Sequence, residues 1–129
     1  MDVIAIREEL ADMLRDATSL PVYELPTGQV TAPAILMGAP SGEYDTSMGG
    51  TAQLSWPLVV IVSRSHPDSL SRLGAILGHT DDQSIPNALD ANPPAAASWW
   101  RATGWETWTE LEFGTTSYWA ATVTTEIGV

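Results

Sequence analysis

The chain is 129 residues long and 44% hydrophobic, with sixteen acids, five arginines, no lysine and a formal charge of -11. Such a surface repels a phosphate backbone and lacks the cations that displace condensed counterions, which excludes a protein that grips nucleic acid. The apolar residues are too abundant and too well patterned for a solvated acidic tail, and the length suits one hydrophobic core.

Residues 2 to 17 read as an amphipathic helix. Val3, Ile6, Leu10, Met13, Leu14 and Ala17 recur at helical spacing, with Glu8, Glu9, Asp12 and Asp16 opposite. Leu20-Pro21 is expected to stop it. Val22-Tyr23-Glu24 suits a short edge strand, and Ala34 to Gly38 a short apolar one. Glu43-Tyr44-Asp45 and Thr51 to Ser63 read as antiparallel strands joined around Met48-Gly49-Gly50. From Leu58 to Val62 the second of these is apolar on both faces, the pattern of a central covered strand. Pro57 predicts that its N-terminal half lies on an edge or at a bulge and projects beyond the sheet.

Ser65-His66-Pro67-Asp68 resembles a capping box ahead of a helix carrying Leu70, Leu73, Ile76 and Leu77 on one face and ending at Gly78. A shorter helical turn is expected from Ser84 to Ala91, before Asn92-Pro93-Pro94. Two strands then follow, one from Trp99 through Phe113 and one from Thr115 to Ile127, with Gly114 as the turn. Period-two alternation groups Trp105, Leu111 and Phe113 on one face and Glu106, Trp108, Glu110 and Glu112 on the other. In the last strand Trp119, Ala121, Val123 and Ile127 point one way, Tyr118, Thr122, Thr124 and Glu126 the other. The order α-β-β-β-α-(α)-β-β makes residues 1-129 a single α+β domain. Its mostly antiparallel β-sheet is flanked by an N-terminal helix and a central helix, with a projecting β-hairpin.

No cysteine is present, so disulfide and thiolate chemistry are excluded. The N-terminus Met1-Asp2-Val3-Ile4 lacks the basic and apolar regions of a signal peptide, and the longest apolar run, Leu58 to Val62, is strand-sized. No membrane partner is expected. Ser63, Ser65, His66 and Asp68 are too close in sequence to converge as nucleophile, base and orienter, and the capping reading uses the same residues. His79-Thr80-Asp81-Asp82 lacks the acid spacing and glycine of a calcium loop, and reads as a solvated turn. No phosphate-binding or metalloprotease motif occurs, so no enzyme, cofactor or metal is expected. Six tryptophans are a surplus for so small a core. Trp99 and Trp100 should point to opposite faces, one inside and one towards a partner.

The whole-chain pattern carries a resemblance. The N-terminal helix is followed by LPVYELPTGQVTAPAILMGAPSGEYD, then AQLSWPLVVIVSRSHPDSLSRLGAILG, SIPNALD and RATGWETWTELEFGTTSYWAATVTTEIGV. This resembles the tail-terminator (tail-completion, minor tail) proteins of long-tailed bacteriophages, the actinobacteriophage type above all. The resemblance implies a small α+β subunit of the virion, assembled in the host cytoplasm as a homohexameric ring on the head-proximal end of the tail tube. Such a ring ends tube polymerisation and meets the major tail-tube protein on one side and the head-side connector or stopper on the other. DNA passes through its lumen during ejection without specific binding.

A ring subunit needs lateral contact surfaces, and the projecting hairpin with the surplus aromatics supplies candidates: Tyr44, Met48, Gly49, Gly50, Leu54, Trp56 and Trp108. A DNA conduit gains from acidic lining, for which Glu43, Asp45, Glu106, Glu110 and Glu112 are the candidates. Two other readings compete: a head-completion or stopper protein of the phage neck, and a small cytoplasmic module that binds a ligand or partner in a deep apolar pocket.

Overall fold

The computed structural model describes residues 2–24, 30–45, 50–64, 67–78, 83–106, 109–113 and 116–128. Among these residues the fold is α+β, with three helices and a curled, mostly antiparallel mixed sheet of five strand positions. Helix α1 spans Val3–Thr18. Its N-cap is Asp2, whose carboxylate accepts from the backbone N–H groups of Ile4 and Ala5 at 3.0 and 3.2 Å. It ends at Thr18, one residue past the expected 2 to 17 and just ahead of Leu20-Pro21, where Ser19 adopts a left-handed conformation with φ 59°. Ile6, Leu10, Ala11 and Leu14 turn into the core, each large side chain contributing about 1.5–3 kcal/mol of burial.

The strands are β1 (Val22–Tyr23), β2 (Ala34–Met37), β3 (Ser41–Asp45), β4 (Gly50–Ser63), β5 (Trp99–Trp105), β6 (Thr109–Phe113) and β7 (Thr116–Gly128). The long strands β4 and β7 pair antiparallel from Gln53↔Gly128 to Ser63↔Tyr118 and form the spine. Beyond β4, β2 and β3 fill one position end to end. Beyond β7, β5 and β6 do the same. Among the described residues the one parallel pair is β1 with β2. The hairpin of β3 and β4 pairs as far as Asp45↔Gly50, past the last β4–β7 pair at Gln53, so its outer end runs beyond the spine.

Of the edge or bulge that Pro57 predicts, the edge is corrected, while a register shift is present in this half of β4 opposite Glu43 and Tyr44. The N-terminal half of β4 is interior, with β3 on one side and β7 on the other. The carbonyl of Pro57 accepts from Gly38 N–H at 2.8 Å, so its nitrogen faces the same side. That side is the gap at 38–40 between β2 and β3, where no ladder donor is required. The proline is tolerated by a local break in the neighbouring strand rather than by an edge position.

Helices α2 (Ser69–Leu77) and α3 (Ile85–Ala91) join α1 on one face of the sheet. The Ser84 hydroxyl caps α3 by accepting from Asn87 N–H at 3.3 Å. Helix α2 begins later than the capping-box reading implies, with Asp68 at the N-cap and no side-chain cap bond, while Ser65 and His66 lie outside the described residues. Leu73, Ile76 and Leu77 are buried, but Leu70 is 43% exposed and off the core face. The main core lies between helices and sheet and takes Leu54, Trp56, Leu58, Val60 and Val62 from β4, and Ala121, Val123 and Ile127 from β7. A smaller cluster, Ala34, Ile61 and Ala120, lies on the opposite face, which makes β4 the doubly covered central strand its pattern predicts.

Candidate functional site

The sheet is open along both sides. Among the described residues, nothing pairs with the outer edge of β3, nor with the outer edges of β5 and β6. Neither edge is distant from the other along the strand axis. Three rows cross β3, β4, β7 and β5 in register: Ser41–Ser55–Glu126–Arg101, Gly42–Leu54–Ile127–Trp100, and Glu43–Gln53–Gly128–Trp99. Past these rows the ladders are irregular: β4 carries an extra residue, position 52, opposite the Glu43–Tyr44 step of β3, and β5 carries one, Thr103, between Ala102 and Gly104.

Backbone direction follows from the ladder. In an antiparallel sheet the N–H and C=O of one residue face the same neighbour, and consecutive residues alternate. Pro57 O receives Gly38 N–H, which directs odd residues of β4 towards β2 and β3 and even ones towards β7. On the far side Gly128 O and Thr122 O receive the N–H groups of Ser98 and Glu106, so even residues of β7 face β5. It follows that Ser41 and Arg101 bond inward, whereas the backbone groups of Gly42 and Trp100 face outward from opposite edges of one row.

The charge distribution sharpens the composition. Of the five arginines, Arg7, Arg15, Arg64 and Arg101 are held by Glu24, Asp12, Glu110 and Glu126 within the subunit. Little positive charge is left over for a polyanion. Arg64 also stacks on Trp119 at 5.2 Å and Arg101 on Trp99 at 5.0 Å.

The expected site residues divide. Leu54 and Trp56 are only 4% and 2% exposed, so their side chains are spent in the core and offer a neighbour no surface. Their alternation on a strand covered by helices explains it. Tyr44 and Gly50 pair with Thr51 and Asp45 in the hairpin ladder, and Glu43 with Gln53. Met48, Gly49 and Trp108 lie outside the described residues, as do the loop His79 to Asp82 and the Gly114 turn.

The acidic row is broken. Trp105 pairs with Val123 and Glu110 with Trp119, which puts Trp105 on the face of Glu110 and Glu112. Glu106, bonded through its N–H to Thr122 O at 2.8 Å, stands in the alternate position. An extra residue between β5 and β6 relative to β7 reverses the alternation, so the three glutamates do not share a face and Trp105 does not share one with Leu111. Glu110 is also tied to Arg64 at 2.8 Å, while Glu112 is exposed beside Ser117.

Trp100 is buried, its Nε1–H donating to Asn92 O at 2.8 Å, and Trp99 is 37% exposed, as alternation requires. The sequence places Trp105 on a strand face without marking it as a contact residue, yet it is 54% exposed, and nothing in the sequence points to the outward backbone groups of Gly42 and Trp100. No side-chain signal marks those groups, because edge position is a property of topology. The clefts between these elements are open to solvent, the one beside Trp105, Leu77 and Pro86 holding about 230 Å³. No protein-family model matches the chain, and no curated protein matches it.

Proposed function

We propose that the protein is a structural virion subunit, a tail terminator that forms a ring on the head-proximal end of a phage tail tube. The ring ends tube polymerisation, joins the tail to the head connector and lets DNA through its lumen. The observation that carries this reading is a sheet with two free edges on opposite sides. A heterologous ring needs two different, complementary lateral surfaces on each subunit, and a self-complementary dimer needs only one. The acid surplus, with most arginines already committed internally, suits a passage that must not retain phosphates.

Loss of the gene tests the role. A terminator's absence leaves tubes that overgrow and fail to join heads, and the chain should be found at the head–tail junction of intact particles. Tubes of normal length that cannot join heads would move the subunit to the neck as a stopper. A strictly monomeric protein absent from virions would refute both, and stabilisation by a small ligand would then support the binding module.

A further inference from the structure

Resting on the ring reading, we infer that neighbouring copies join by antiparallel pairing of β3 of one subunit with the first half of β5 of the next. A second copy of this chain is thus the occupant of both free edges. The strands alternate in direction across the sheet, so β3 and β5 run antiparallel, and setting one copy beside another continues the ladder without reversing a strand. The row through Gly42 and Trp100 gives the register. Leu54 and Ile127 exchange backbone hydrogen bonds within the subunit, while Gly42 and Trp100 direct theirs outward at the two ends of that row. Gly42 of one copy against Trp100 of the next forms the following hydrogen-bonded pair, and the pattern repeats every four strands.

Two further features fit this partner. The charged residues of β3 are acids, Glu43 and Asp45, and the charged residue of β5 is Arg101. In the proposed register position 41 lies opposite position 101 and position 43 is diagonal to it, so the acidic strand meets the strand that carries the arginine. The extra residue Thr103 ends the regular edge of β5 just past the matching rows, and the extra β4 residue at position 52 breaks the ladder behind β3 just past Glu43, which opposes slipped registers.

The absence of native cysteine makes the test clean. Ser41→Cys and Arg101→Cys fall directly opposite each other between copies, in a pair not linked by backbone bonds. Within one copy they sit at the two ends of a four-strand row, roughly 14 Å apart and beyond the reach of a disulfide. Oxidation of the double variant, as purified protein and in particles, should give a covalent ladder ending at the closed ring. Each single variant alone should give none, and the two singles mixed should stop at dimers. Gly42→Pro removes an N–H that β4 does not use, so circular dichroism and melting temperature should hold. Its half-assembly concentration should rise at least about tenfold, with Gly42→Ala near wild type. Rings that form without the ladder, or Gly42→Pro assembling like wild type, would overturn the edge pairing and leave the ring reading standing. A protein monomeric at every concentration and absent from particles would end both.

Discussion

Trp56 and Thr125 face each other across β4 and β7, both buried, and neither the indole Nε1–H nor the threonine hydroxyl has a hydrogen-bond partner among the described residues. A buried polar atom without a partner costs about 1–3 kcal/mol. Thr125→Val keeps the side-chain shape and removes one of the two, at a site 0% exposed where no water competes for it. The variant should gain on the order of 1 kcal/mol, seen as a higher urea midpoint at unchanged m-value. A loss of stability would mean that the hydroxyl does find a partner in solution.

Trp99 lies over Gly128, its partner across β5 and β7, so closely that a Cβ on that glycine would fall 2.2 Å from the indole Cε2. Gly128→Ala should therefore displace the ring and weaken its stacking with Arg101. A cost of about 1–2 kcal/mol follows, because the displaced ring can move into solvent. In a Trp99→Ala background the same substitution should cost nothing measurable. The double-mutant cycle reads the difference directly.

The elements with local signals were legible in the sequence. Helical spacing marked α1, the stretch from Ser84 to Ala91 marked α3, and strict alternation from Trp119 to Ile127 assigned both faces of β7. What failed depended on neighbours that the sequence does not name. Pro57 reads as an edge signal until the gap at 38–40 is seen beside it. Glu106, Glu110 and Glu112 alternate correctly in sequence, but the one extra residue opposite β7 between β5 and β6 puts Glu106 on the other face. Leu54 and Trp56 look available only while the helices that cover them are unplaced. The open edges are invisible to any pattern, since the same residues in a central strand would read alike.

Arg64 touches two partners of different worth. Its bridge to Glu110 at 2.8 Å joins side chains 43% and 51% exposed, which places it in the 0–1 kcal/mol range and leaves it sensitive to salt. Its guanidinium also covers Trp119 at 5.2 Å. Glu110→Gln should therefore change the melting temperature little, and by less as salt is raised. Arg64→Ala should cost about 0.5–1 kcal/mol more, because the stacking and the apolar stem go with the charge. Equal effects from the two substitutions would assign the whole contribution to the ion pair.

Glu9 holds the segment entering β5. Its carboxylate accepts from Ala95 N–H at 2.5 Å and from Ala96 N–H at 3.1 Å, bridging α1 to the chain that follows Pro93-Pro94. Glu9 is half-buried, so its two charge-assisted bonds are partly screened and should contribute about 1–2 kcal/mol together. That energy acts locally, on a stretch with no ladder of its own ahead of Trp99. Glu9→Ala should therefore speed hydrogen exchange at Ala95 and Ala96 by about an order of magnitude or more and leave the β4–β7 amides unchanged. Glu9→Gln, which keeps an acceptor but loses the charge, should fall between the two. Uniform loss of protection across the sheet would instead mean that the tie belongs to the global folding unit, with α1 and the β5 approach opening only together.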